Sequence, residues 1–151
     1  MSSDAQTPPQ PDEFWQGIAE FNSGEFYACH DTLEALWIEA MEPDKTFYQG
    51  ILQVAVGIYH LSNLNWRGAA ILIGEGLNRL NRYEGDYAGI DVDQLIHDSA
   101  ALLRGLQTVG EAQVGELAIA LNLIPAPQNT TSSTSPLEIS ADVVLPKIHL
   151  L

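Results

Sequence analysis

The sequence predicts an all-α fold, a single-domain antiparallel helical bundle of about five to six helices with a C-terminal extension. Three observations carry this expectation. Apolar residues between 12 and 122 recur at spacings of three and four, the period of an amphipathic helix. β-branched alternation is sparse there and flanks no tight turn, so nothing in that span reads as a strand. Short breaks rich in Asn, Gly or Pro cut the span into segments of helical length, and short connections make sequence neighbours antiparallel.

The elements follow in order. Residues 1–11, with Pro8, Pro9 and Pro11, read as a flexible arm ahead of a helical domain over 12–124. Phe14, Ile18 and Phe21 mark a first helix, which Asn22-Ser23-Gly24 breaks. A second helix is expected from about Ser23 or Gly24 to Met41, where Glu42-Pro43-Asp44 stops it, because the residue before a proline avoids the α region. Asp44 can cap a third helix, whose apolar run starts at Phe47 and which reaches about Leu64. Asn63 and Asn65 mark a turn, and Asn65 is the expected cap of a fourth helix carrying Ala69, Leu72, Ile73, Leu77 and Leu80 to about Tyr83. Gly85 to Gly89 is loop. Asp91 with Gln94 three residues on resembles a capping box, opening a fifth helix whose core is Leu95, Ala101, Leu102, Leu103 and Leu106. A weaker helical stretch covers Glu111 to Leu121.

Residues 125–136 hold the run Asn129-Thr130-Thr131-Ser132-Ser133-Thr134-Ser135, read as a Ser/Thr-rich linker. Residues 137–151 turn apolar, with Leu137, Ile139, Val143, Val144, Leu145, Ile148, Leu150 and Leu151. Pro146 confines any strand there to an edge. A loose apolar tail is a liability in water, so three fates stand open: docking on its own domain, adding to another chain, or disorder.

Size and charge bound the function. The 151 residues amount to one domain, long enough to bury about two-thirds of the unfolded surface with no disulfide or zinc staple. Twenty Asp plus Glu against six Lys plus Arg give a net charge of −14, and residues 1–44 carry no Lys or Arg. Nucleic acids and anionic membranes both require basic surfaces, so neither is an expected partner. The expected partners are an unknown small molecule or protein, a second copy of the chain (a homo-oligomer) included. No apolar run approaches the roughly 18 residues of a membrane span. The N-terminus lacks the features of a secretory signal or transit peptide, and the single Cys29 cannot form an internal disulfide. The expected location is the cytoplasm.

Polar residues inside apolar stripes are the informative ones, since burying them unsatisfied costs a few kcal/mol. In the second helix the stripe runs Phe26, His30, Leu33, Trp37, Met41, with Glu34 one turn on from His30. A His and a Glu at i and i+4 lie one above the other, able to reach one ion or to bond each other. The third helix is apolar nearly all round except for Gln49, Gln53 and His60, which at ~100° per residue share a sector of about 60°. Gly50 and Gly57 suggest that another helix packs closely against it. If the two polar seams face each other, His30 and Glu34 meet Gln53 and His60 in a buried pocket. Imidazole with carboxylate suits a divalent zinc, iron, nickel or manganese ion. The same residues could instead lock helix register, with no ion present.

Other residues offer less. Cys29 and His30 diverge by about 100° on a regular helix and cannot pair as nucleophile and base. Tyr48, Tyr59 and Trp66 could line a pocket or pack in the core. Glu75 and Arg79 read as an exposed i, i+4 pair, Arg67 as a solvated cation at the seam's end, and His97 and His149 as surface residues. The sequence holds no Gly-rich phosphate loop, nucleophile elbow or Cys-x-x-Cys pair.

These same residues carry a resemblance. The stretch from Phe21 to Trp37 resembles the signature of domain-of-unknown-function family 309, a group of small all-helical bacterial and archaeal proteins. That signature is Phe-Asn-x-Gly, an aromatic pair, then His-Glu-x-Leu-Glu-x-x-Trp. Phe47 to His60 is similar to the family's aromatic-x-Gln-Gly-x-x-Gln-x-Ala segment ending in His. Asn65-Trp66-Arg67-Gly68-Ala69 is similar to its Asn-x-x-Gly-Ala turn, and Gly89 to Val92 to its late helix start. The resemblance covers roughly residues 14–106, and it departs at Asp31, where the motif usually has Glu. That shortens the carboxylate by one methylene, and no role is assigned to it. Residues from Pro125 onward lie outside it.

The family carries the label of predicted metal-dependent hydrolase. The resemblance therefore implies an uncharacterised helical protein whose motif positions are His30, Glu34, Trp37, Gln49, Gln53 and His60. In the first reading His30, Glu34 and His60 hold a divalent metal, Gln53 orients substrate or water, Glu34 can serve as base, and Trp37, Gln49 and Tyr59 line the pocket. In the second the chain is a non-catalytic helical binding or oligomerisation module whose seam is structural.

Overall fold

Each break foreseen in the sequence ends a helix in the structure, a computed structural model in which residues 9–83, 85–127 and 137–151 are described. Six α-helices form the described part of the bundle: α1 (Asp12–Asn22), α2 (Phe26–Glu39), α3 (Asp44–Ser62), α4 (Trp66–Leu80), α5 (Val92–Val109) and α6 (Val114–Ala120). A 3-10 turn at Glu111–Gln113 precedes α6. None of the helices is long and apolar enough to cross a membrane. Most of the N-terminal arm (residues 1–8) and of the Ser/Thr-rich linker (residues 128–136) lies outside the described residues.

The helix ends move by a few residues for local reasons. Gly24 sits at φ +85°, so α2 starts after it rather than at Ser23. α2 stops at Glu39, short of Met41, and Ala40 is already extended. Leu64 adopts φ 62°, which closes α3 before it and makes Asn65 the cap of α4, its Oδ1 accepting from Gly68 N at 2.9 Å. The expected cap of α3 is corrected. Asp44 is the helix's first residue, and its carboxylate accepts from Tyr87 Oη at 2.6 Å. Glu42 takes up the helix start instead, accepting from Thr46 N at 2.9 Å and Thr46 Oγ1 at 2.7 Å. The capping box at α5 is half made. Asp91 accepts from Gln94 N at 3.0 Å, but the Gln94 side chain turns forward to Asp98.

α3 is the central helix, buried along Phe47, Ile51, Val54, Ala55, Ile58 and Leu61. It packs chiefly on α4 and α2, while α1 lies on α2 and α5 on α4. The α3–α4 contact is close because glycines from both helices line it. A β-carbon at Gly57 would lie 2.5 Å from Ile73 Cγ1, and one at Gly76 would lie 2.7 Å from Gly50 O. Trp66 pins α4 to α5 by donating from Nε1 to Leu106 O at 2.7 Å.

One feature was not expected. The segment at 85–91, expected to be loop as far as Gly89, forms a two-residue antiparallel ladder, β1 (Asp86–Tyr87) with β2 (Ile90–Asp91). Its turn places Ala88 at φ 55° and Gly89 at φ +80°. The pair is too short to leave an alternating pattern in the sequence. It also decides where the apolar tail goes: Ile90 forms an antiparallel bridge with Leu150, so the C-terminal segment docks on its own domain.

Candidate functional site

Regular α-helix geometry stacks residues four apart, and α2 accordingly sets His30 beneath Glu34. His30 Nε2 stands 3.8 Å from Glu34 Oε2, and His30 Nδ1 stands 3.2 Å from Asp31 Oδ1. One ligand atom from each of the three residues lies within 4.8 Å of the others. The side chains are 23%, 61% and 46% exposed for His30, Asp31 and Glu34, so the group opens to solvent. This corrects the expectation of a buried pocket in which the seams of α2 and α3 meet. It also brings in Asp31, to which the sequence assigns no role because an aspartate, one methylene shorter, stands there in place of the motif's usual glutamate. An imidazole has two nitrogens on opposite edges, and one ring meets both carboxylates.

The remaining seam residues go elsewhere. Gln53 is almost fully buried, but its amide faces α4: Nε2 donates to Glu75 Oε1 at 3.2 Å, and Oε1 accepts from Arg79 Nη1 at 3.1 Å. Glu75 and Arg79, read from the sequence as an exposed pair, therefore meet through Gln53. His60 Nδ1 lies 3.3 Å from Asn65 Nδ2 at the α3–α4 turn, and His60 is not part of the His30 cluster. Gln49 is half-buried on α3. Trp37 is also half-buried. Lys45 Nζ sits 4.8 Å from its ring centroid and donates to Trp37 O at 2.9 Å. The arrangement places a cation over an aromatic face.

Tyr59 does lie beside the cluster. Its ring packs on Tyr27 with centroids 5.1 Å apart, and Tyr27 lies 5.9 Å from the His30 ring. Tyr27 is 56% and Tyr59 36% exposed. With Phe26, Ser62 and Leu123 they line an open groove of about 390 Å³. In the sequence Tyr27 is the second member of the motif's aromatic pair. Its signal there was weak, an aromatic residue three before His30 on the same helix face.

Cys29, next to His30, is fully buried. Burial first, and the nearby Glu20 second, push its thiol up to about 12, so it supplies no thiolate to this site.

The donors present are one imidazole and two carboxylates at the solvent edge of one helix, beside an aromatic groove. Such a set suits a borderline divalent cation. In comparison with known families, residues 14–72 match the model described as "Domain of unknown function (DUF309)". That stretch spans most of α1, all of α2 and α3 and the first half of α4, so it holds the whole cluster. No curated protein matches the chain.

Proposed function

We propose that the helical unit containing residues 14–72, the stretch that matches the DUF309 model, is a divalent-metal-dependent hydrolase whose ion is held by His30 and Glu34. The observation that carries this is the pair's spacing together with its exposure. Two donors about 2.1 Å from a zinc at the tetrahedral angle stand roughly 3.4 Å apart, close to the 3.8 Å between His30 Nε2 and Glu34 Oε2. Asp31 supports the pair by accepting Nδ1–H from His30, which fixes the tautomer and leaves Nε2 free to ligate. The ion would supply Lewis acidity toward a carbonyl or phosphoryl oxygen. Tyr27 and Tyr59 offer an apolar wall against which the rest of a substrate can lie. Gln53 has no part in this reading, because α4 holds both ends of its amide.

A second reading has its own observation. Tyr27 and Tyr59 are exposed along a groove, and exposed aromatic residues are common anchors in protein interfaces. In that reading the domain is a non-catalytic binding module, and His30, Asp31 and Glu34 only keep the edge of its contact face hydrated.

Metal content separates the two. The protein, purified without a histidine tag, is assayed by inductively coupled plasma mass spectrometry beside His30→Ala and Glu34→Ala. Near-stoichiometric metal that is lost in both variants supports the hydrolase reading and directs a hydrolase screen. Absence of metal after reconstitution with zinc, iron, nickel and manganese overturns it and leaves the binding module.

A further inference from the structure

The C-terminal segment is held the way a bound peptide is held. Asn22, the last residue of α1, reads the main chain of Ile148 with both ends of its amide. Nδ2 donates to Ile148 O at 2.8 Å, and Oδ1 accepts from Ile148 N at 2.7 Å. The edge of β2 adds main-chain bonds from the other side. Asp91 N donates to His149 O at 2.8 Å, and Leu151 N donates to Gly89 O at 3.1 Å, around the bridge between Ile90 and Leu150. This is strand addition, in which main-chain bonds give affinity and side-chain pockets give selectivity.

The pockets are present too. Ile148 is 2% and Val143 8% exposed, and Val143 fills a recess that α5 leaves by having glycine at 105. Lys147 Nζ donates to Asn22 O at 2.7 Å, placing a cation on the C-terminal carbonyl of α1, where the helix dipole favours it. In a chain with only six Lys plus Arg, that position is chemically selective.

We propose that the cleft between the end of α1, the edge of β2 and the Gly105 face of α5 is a strand-addition groove that accepts the Val143–Leu151 segment of a second copy of this chain. Two arguments favour that occupant. The segment already seated there shows that its side chains and main chain fit. Residues 125–136, which join it to the helices, can span roughly 40 Å when extended, enough to reach a neighbouring copy. Tethering makes the chain's own segment the favoured occupant at low concentration, through an effective concentration on the order of millimolar. Exchange between copies therefore grows with protein concentration.

The test uses the full chain. Unlabelled and ¹⁵N-labelled protein are mixed over a concentration series and measured by native mass spectrometry, with and without excess synthetic peptide of residues 137–151. Mixed dimers that grow with concentration and are dissolved by the peptide are expected. In parallel, the fluorescein-labelled peptide is titrated with wild type, with Ile148→Asp, which unseats the chain's own segment, and with Ile148→Asp/Asn22→Ala. Ile148→Asp should bind the peptide at least about tenfold tighter than wild type, since the tethered competitor is gone, and the double variant should lose that gain. Wild type that stays monomeric throughout, or dimers untouched by the peptide, overturns the proposal. So does an Ile148→Asp chain of native helicity that binds no tighter than wild type. Should Ile148→Asp lose its helical circular dichroism, the wild-type mixing experiment decides alone.

Discussion

Gly105 and Val143 are packed so closely that a β-carbon at 105 would lie 3.0 Å from Val143 Cγ1 and 3.1 Å from its Cγ2. Two opposing effects meet there. Alanine in a helix interior gains about 1 kcal/mol over glycine, while the added methyl presses on the C-terminal segment. That segment is fixed by a handful of hydrogen bonds at an edge, so it yields before α5 does. Gly105→Ala should leave thermal unfolding of the helices unchanged or slightly raised. Amide exchange at Asp91, Ile148 and Leu151 should accelerate about tenfold, equivalent to about 1.4 kcal/mol of local opening. Hydrogen exchange read by NMR checks it, and unaltered rates at those three amides would count against the contact.

Gly57 is the opposite case, because its neighbour cannot yield. A β-carbon there would lie 2.5 Å from Ile73 Cγ1, 3.0 Å from Ile73 N and 3.2 Å from Ala69 O. Two of those atoms are backbone of α4, so the helices must separate. Gly57→Ala should lose about 2 kcal/mol in urea unfolding despite its better helix propensity. A neutral result would mean that α3 and α4 do not touch at this point.

The contrast between these glycines explains what was legible in the sequence. Gly50 and Gly57 stand on one face of an otherwise apolar helix, so the close approach of another helix was readable. Which helix it would be was not, since sequence periodicity names a face and not its partner. The same limit governed the seam. Gln53 and His60 share a sector with Gln49, but α4 rather than α2 covers Gln53, and His60 turns to Asn65. His30 and Glu34 were legible as a pair because i, i+4 contact is local. Asp31 was not, because its contact depends on the two-sided shape of an imidazole and not on helix spacing. The docked tail depends on β1 and β2, whose two-residue strands carry no period to detect.

Cys29 offers a reading of global stability. It is fully buried, and burial together with Glu20 raises its thiol to about 12. At pH 8 the native protein should therefore react with a thiol-specific reagent at least about a thousandfold more slowly than the urea-unfolded chain. The absorbance of released thionitrobenzoate measures both rates. Fast labelling of the native protein would show that α2 opens locally and would contradict the packing described for it.

Glu42 gives a pH dependence with a definite sign. Its carboxyl is held below the ordinary value of 4.5, first by the Thr46 hydroxyl and then by the Thr46 amide, both of which donate to the ionised form. A group whose folded pKa is depressed stabilises the fold above its unfolded pKa and loses that contribution as pH falls through the folded value. Glu42→Gln keeps an acceptor at the start of α3 but removes the charge that favours a helix N-terminus. Wild type should therefore unfold at a higher temperature than Glu42→Gln at pH 7. The gap should stay constant down to about pH 5, then narrow as the medium drops below 4.5 and Glu42 takes up its proton. Because the carboxylate is at the surface, added salt should shrink the gap at pH 7 as well. Melting curves of the two proteins from pH 7 to pH 3, at low and high salt, measure it. A gap that persists unchanged at pH 3 would show that the substitution acts through side-chain packing rather than through the charge that caps α3.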